Sequence, residues 1–209
     1  MIHINDTVKE VLEWIYCIVI AIALALLIRY FVGTPTVVKQ TSMFPTLKQN
    51  QRLILNRLYR TFDEVPKRGD IITFEAPNKS ATDGIKAVYN KELNGWFEEF
   101  CYYVLEIDKI SYIKRVIALP GEHVKIADGK IYINGEQLQE DYLSEDVVTE
   151  AKNVNMTDFT VPEGYIFAVG DNREYSSDCR EFGCIPIEKI ESKVWIRIWP
   201  LNLFGKIDK

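Results

Sequence analysis

From Trp14 to Ile28 the chain reads WIYCIVIAIALALLI without a charge, and Tyr30–Val32 carries the run past Arg29, so nineteen residues hold a single charge. At about 1.5 Å of rise per residue, a helix over 14–32 reaches roughly 28 Å, close to the hydrocarbon thickness of a bilayer. Arg29, near the end, can carry its guanidinium to the headgroups on an apolar stem. The segment therefore reads as a membrane anchor. Thr7 followed by Glu10 is a capping-box pattern that starts the helix before the bilayer. A cleaved signal peptide would want a positive leading region and a small-residue cleavage site after the run. Here Lys9 is outnumbered by Asp6, Glu10 and Glu13, and the Ala-x-Ala pairs lie inside the run. A buried core helix would explain an uncharged stretch, but a helix apolar all round at one end of a small soluble domain is out of place. One Lys before the span against Arg29 and Lys39 after it does not orient the helix.

Beyond Gly33 the pattern becomes alternating, and 33–209 reads as one compact unit. Runs at Arg52–Leu55, Asp70–Phe74, Ile113–Leu119, His123–Ile126, Lys130–Ile133, Tyr165–Val169 and Val194–Trp199 read as strands. Arg68-Gly69-Asp70, Asp128-Gly129, Asn134-Gly135 and Pro162-Glu163-Gly164 supply the turns between them. The fold class is mainly β, an antiparallel domain behind one transmembrane helix. One stretch dissents: Leu93, Phe97, Phe100, Val104 and Ile107 share a helical face, which predicts a helix over about 95–109. It belongs to an insertion at about 78–111, expected to pack its apolar stripe on the flank of the β domain and to contribute no catalytic group. Its net acidity disfavours attraction to anionic lipid. Trp195 and Trp199 suit either the core or a surface at the membrane interface.

Composition removes several functions. With 47% hydrophobic and 26% charged residues the chain is globular, and its formal net charge of −5 offers no basic face for nucleic acid. Four cysteines, Cys17, Cys101, Cys179 and Cys184, make neither a disulfide scaffold nor a four-thiolate zinc site, and no His/Cys/Asp cluster has metal-ligand spacing. Of the two histidines, His3 lies across the anchor from the β domain, and His123 stands on a strand with no catalytic loop around it. A Ser-His-Asp triad would have to use His123.

Ser and Lys offer another nucleophile and base. Ser42 lies in Gln40-Thr41-Ser42-Met43-Phe44-Pro45-Thr46-Leu47, where a hydroxyl and the adjacent backbone N–H can both face a substrate. Lys114 lies in a strand, with Tyr112, Val116 and Ala118 on its face and Ile113, Arg115 and Ile117 on the other. One of the two basic residues has to face inward. A guanidinium cannot be deprotonated, whereas a desolvated Lys can fall to about 7–8 and act as a base, at a cost of about 4 kcal/mol. Periodicity by itself favours an ordinary strand with a snorkelling Lys.

Four boxes in order resemble bacterial type I signal peptidases: Ser-Met-x-Pro-Thr-Leu at 42–47, Arg-Gly-Asp-Ile at 68–71, Lys-Arg-Val-Ile-x-Leu-Pro-Gly at 114–121, and Gly-Asp-Asn-Arg-x-x-Ser-x-Asp-x-Arg-x-x-Gly at 170–183. The resemblance runs from the anchor to about Pro200 and is interrupted mainly by 78–111. It implies a membrane-anchored serine endopeptidase that cleaves signal peptides from exported preproteins, with small residues one and three positions before the cut. It also implies an N-terminal segment 1–13 in the cytoplasm, with the domain outside the cell membrane and no metal or cofactor. On it, Ser42 is the nucleophile and Lys114 the general base, with the Ser42 N–H in the oxyanion hole. Ser176 orients the base, Asp178 and Arg180 form a supporting ion pair, and Asp171 and Asn172 complete a turn. The chain departs from the pattern at Gln40, where some members carry Ser or Gly, at Ala118, where Gly is common, and at Cys179, where Ser is usual. Two other readings compete: a non-enzymatic anchored β module, and a self-cleaving Ser/Lys regulator, whose basic DNA-binding domain is not present.

Overall fold

The computed structural model describes residues 6–62, 65–79, 82–89 and 91–207; His3 and the first residues of the 1–13 segment lie outside them. The first described element is α1, Asp6–Leu27, which continues as one wider turn over Ile28–Val32. Thr7 already lies inside this helix, so the capping box does not set its start. The apolar stretch Thr7–Val32 is long enough to cross a membrane, and none of its most apolar part is buried against the rest of the protein. It runs directly into β1, Gly33–Val37. At that junction a side chain on Gly33 would stand 2.6 Å from the Leu55 carbonyl oxygen, so the chain can join the sheet so closely only with glycine there.

Twelve further strands follow: β2 Arg52–Asn56, β3 Ile71–Glu75, β4 Thr82–Asp83, β5 Lys86–Ala87, β6 Ser111–Ala118, β7 His123–Ala127, β8 Lys130–Ile133, β9 Glu136–Gln137, β10 Asp158–Thr160, β11 Tyr165–Val169, β12 Ile185–Pro186 and β13 Ile190–Trp199. Among them lie the short α-helices α2 Leu58–Thr61, α3 Trp96–Tyr103 and α4 Cys179–Phe182, with single 3-10 turns at Val154–Met156, Ile187–Lys189 and Leu201–Leu203. The large sheet runs β1-β2-β13-β3-β6-β11-β12 and the smaller β10-β7-β8-β9, with antiparallel pairing throughout both. The Asp128-Gly129 and Asn134-Gly135 turns, which join β7 to β8 and β8 to β9, hold both residues at positive φ, as two-residue hairpins require.

The main core includes Val116, Ala118, Val124, Ile126, Ile131, Phe159 and Phe167. A second cluster, Val38, Met43, Leu47, Leu53, Leu55, Ile71 and Val194, forms around the turn that bears Ser42. β6 runs between β3 and β11, with Ile72 opposite Lys114 and Ile71 opposite Arg115. With strands on both sides and core on both faces, it buries both basic residues. This corrects the expectation that alternation would turn only one of them inward.

Two further expectations change. The helix in the insertion ends at Tyr103, short of 109, because Glu106 and Asp108 adopt positive φ. Its buried side chain is Tyr102, on the face opposite the predicted stripe, and Phe97, Phe100 and Ile107 are exposed. Trp195 and Trp199 are exposed as well, so neither is a core residue.

Candidate active site

After β1 the chain bends back on itself: the Phe44 N–H donates to the Thr41 carbonyl and the Leu47 N–H to the Met43 carbonyl. Met43 and Leu47 are fully buried and pin this turn to the second cluster. Ser42 sits at its head. From the facing strand Lys114 Nζ donates a 2.8 Å hydrogen bond to Ser42 Oγ, and the Lys114 side chain is 1% exposed. Burial is the largest influence on the amine and lowers it to about 8. Asp178 pulls the other way, and the cations of Lys79 and Arg180 assist the lowering. The amine is thus dry, in contact with one hydroxyl, and able to lose its proton just above neutrality.

All four sequence boxes meet around this pair. Arg115 donates from Nε to Asp171 Oδ1 at 2.9 Å and from Nη2 to Oδ2 at 2.7 Å, and Nη1 reaches the Gly69 carbonyl at 3.2 Å. Its guanidinium carbon lies 3.8 Å from the centroid of the Tyr142 ring. A cation that cannot lose its proton is thereby accommodated in the interior by a forked carboxylate and an aromatic face. Thr46 donates its hydroxyl to the same Asp171, so one carboxylate joins the Ser42 turn to the strand of Lys114. Arg68 donates to the Ile117 carbonyl at 2.6 Å and pairs with Glu122 at 2.6 Å, which ties the second box to the third.

The Gly-Asp-Asn turn bonds the Ser42 segment directly. The Asn172 N–H donates to the Ser42 carbonyl at 3.0 Å, and its side-chain amide donates to the Thr41 carbonyl at 3.1 Å. Gly170 lies beneath the pair. A Cβ there would meet Ser176 Oγ at 2.1 Å and the Ser42 carbonyl oxygen at 2.4 Å. Behind it, Asp178 accepts from Arg180 Nε and Nη2, both at 2.9 Å, and from the Gly170 N–H at 3.0 Å. Burial works to raise the Asp178 carboxyl, but Arg180 and the Gly170 N–H together hold it below its ordinary value. The Ser176 hydroxyl makes no hydrogen bond of good geometry, yet it stands close enough to the carboxylate to add to that lowering.

A hollow of about 330 Å³ opens above Ser42, lined by Lys39, Gln40, Thr41, Gln49, Lys79, Tyr112, Tyr175 and Ser177. It shares Lys39, Gln40 and Tyr112 with a groove of about 690 Å³ that follows β1 and the start of β6 and is also lined by Glu106, Lys109 and Ile110 of the insertion. The insertion, expected on the flank of the β domain, therefore extends to the rim of the site. Lys79 and Lys114 hold their Nζ atoms 5.3 and 5.4 Å from the centroid of one ring, Tyr112. Tyr112 was traceable as the residue two before Lys114 on the same strand face. Lys79 carried no signal in pattern or spacing, and Tyr175 and Ser177 flank Ser176 at positions the fourth box leaves unspecified.

The alternatives do not gather here. His123 pairs at 2.7 Å with Asp158, both about half exposed, and lines neither the hollow nor the groove. Cys179 and Cys184 are free and buried, with their thiols pushed up by desolvation. Among the described residues no cluster of His, Cys, Asp and Glu could hold a metal ion.

The family model described as signal peptidase, peptidase S26, matches residues 11–199, which takes in the apolar helix and all four boxes. The chain belongs to that family. It is 35% identical over 206 residues to a signal peptidase I of Bacillus licheniformis, covering 96% of this chain and 95% of the relative. A probable signal peptidase I-1 of Synechocystis sp. is 32% identical over 195 residues, covering 93% and 86%. A solved signal peptidase I from Enterococcus faecalis V583 is 33% identical, covers 61% of this chain and 95% of its own, and superposes with a TM-score of 0.39. As a member of this peptidase family, the chain is an enzyme with a mainly β fold.

Proposed function

We propose that this peptidase removes N-terminal signal peptides from exported preproteins, with Ser42 as nucleophile and Lys114 as general base. The observation that carries the reading is the 2.8 Å contact between Lys114 Nζ and Ser42 Oγ at a buried amine lowered to about 8. When the amine is neutral the contact reverses, and the hydroxyl donates to Nζ. As Ser42 Oγ bonds to the scissile carbonyl carbon, its proton passes to Lys114 and the carbonyl oxygen becomes an oxyanion. The backbone N–H of Ser42 stabilises that charge. Collapse breaks the C–N bond, and the Lys114 ammonium returns its proton to the departing amine. Water then gives a proton to the neutral amine as it attacks the acyl ester. Breakdown releases the signal-peptide carboxylate and restores the Ser42 hydroxyl.

Asp178, Arg180, Ser176 and Asp171 act by position. The buried pair fixes the turn behind Lys114, and Asp171 holds the Ser42 turn to β6. The preprotein lies extended along β1, which is an edge strand, so alternate side chains point into the groove. This favours small residues one and three positions before the cut. α1 spans the cell membrane once, with its N-terminus in the cytoplasm and the chain from about residue 33 outside, and protease added to intact spheroplasts digests the domain. The test of mechanism is cleavage of a model preprotein by purified protein. Ser42→Ala and Lys114→Ala abolish it, and Lys114→Arg does too, because a permanent cation cannot accept the proton. Full activity in Lys114→Arg would remove Lys114 as the base.

A further inference from the structure

The insertion helix α3 is packed by its narrow side. At about 100° per residue, Trp96, Phe97 and Phe100 lie within one arc of about 100°, and Tyr102 points the opposite way. Tyr102 is the buried residue, with Lys91 Nζ 3.9 Å and Lys109 Nζ 5.3 Å from its ring centroid. The outward face is Trp96, Phe97 and Phe100, exposed by 78%, 64% and 38%. Tyr102 settles which side meets the protein, and three aromatic rings are left on the other.

The position of the helix identifies what covers that face. Glu106, three residues past the end of α3, pairs with Arg29 at 2.6 Å, and its second oxygen pairs with Arg57. Arg29 belongs to the apolar span Thr7–Val32 and lies three residues before its end, where β1 begins. The insertion is therefore held by a carboxylate at the point where the span meets the domain. The eight residues of α3 extend about 12 Å, and the three-residue turn before Glu106 adds at most about 10 Å. The aromatic face thus lies within about 22 Å of Glu106, which itself meets the span at Arg29.

We propose that α3 is a second foot on the bilayer. Trp96, Phe97 and Phe100 are seated at the boundary of headgroups and acyl chains in the leaflet from which α1 emerges, and Glu106 pins the foot to Arg29. The proposal rests on the reading of α1 as a membrane anchor. Trp and Phe suit that layer because their rings bury apolar area at its depth, and the Trp N–H still finds a polar partner. The insertion is net acidic, so apolar burial seats it and anionic lipid adds nothing. One span alone leaves the domain free to tilt about a single point. Two feet fix the height and tilt of the Ser42 hollow above the membrane.

The test uses the full chain reconstituted in phosphatidylcholine vesicles in two single-Trp forms. One keeps Trp96 and the other keeps Trp14, each with the remaining tryptophans, all exposed, changed to Phe. Lipid brominated near the headgroup end of the acyl chain quenches a tryptophan at that depth. The proposal expects quenching of both Trp14 and Trp96, unchanged when half the lipid is phosphatidylglycerol. Quenching of Trp14 without Trp96 overturns the foot and leaves the anchor standing; quenching of neither overturns both. Trp96 unquenched by lipid yet shielded from aqueous acrylamide would mean a protein covers the face, and would also overturn the proposal. In cleavage assays, Trp96→Ser with Phe97→Ser raises KM for a bilayer-embedded preprotein about tenfold and leaves a short soluble peptide unaffected. An equal change on both substrates contradicts the account.

Discussion

Replacing Lys114 with Met tests whether the buried amine is held in a costly state. An unfolded Lys keeps its proton until about pH 10.5, whereas burial has lowered the folded amine to about 8. At 1.36 kcal/mol per pH unit, holding the cation in this site costs the folded protein about 3 kcal/mol below pH 8. The folded value lies below the unfolded one, so the unfolded chain binds more protons between the two, and wild-type stability rises with pH through that window. Met is nearly isosteric and has no charge to desolvate, but it forfeits the hydrogen bond to Ser42, worth about 1 kcal/mol. Lys114→Met is therefore inactive yet more stable than wild type by about 2 kcal/mol near pH 7, and the difference closes by about pH 10. Urea unfolding of both proteins in the same nonionic detergent, followed by tryptophan fluorescence at the two pH values, measures this. A difference that is the same at both, or a Met form less stable near pH 7, would refute the reasoning.

Two other outcomes follow from the supporting contacts. In Gly170→Ala the new methyl meets the Ser42 carbonyl oxygen at 2.4 Å as well as Ser176, so the nucleophile turn has to move. Cleavage of a model preprotein falls about a hundredfold, with a stability loss of about 1–3 kcal/mol in the urea titration. In Asp178→Asn the buried Arg180 loses its counter-charge, which costs about 3–5 kcal/mol in the same titration. Asp178 also raises the Lys114 amine, so the rising limb of the pH profile for kcat/KM moves to lower pH in this variant.

Much of the fold was legible where local chemistry decides it. β8 and β11 have the limits that alternation assigns, and the two-residue turns on either side of β8 need the Asp-Gly and Asn-Gly pairs that announce them. β1 was not legible, because Gly33 and Pro35 look like punctuation; pairing with β2 makes the segment a strand. β9, β10 and β12 span two or three residues and owe their conformation to neighbours in the sheet. Arg115 escaped because alternation assumes that one face of a strand is wet, and its carboxylate partner Asp171 lies 56 residues away. For α3, spacing located a helix but not its buried side, which depends on Lys91 and Lys109 from the flanking segments meeting Tyr102. In the site, the motif boxes named the residues that converge. Lys79 reaches the hollow only through the folding of a loop that has no pattern of its own, and Tyr175 and Ser177 stand at positions the fourth box leaves unspecified.

The central claim is that a neutral Lys114 takes the proton from Ser42. It is tested most directly by the pH dependence of kcat/KM for cleavage of a model preprotein by the purified wild-type protein. With the amine lowered to about 8, activity depends on the deprotonated form and rises with pH along a single limb centred near 8. His123→Ala leaves that limb in place. A limb centred near 6.5 that disappears in His123→Ala would contradict the account and transfer the role of base to the histidine.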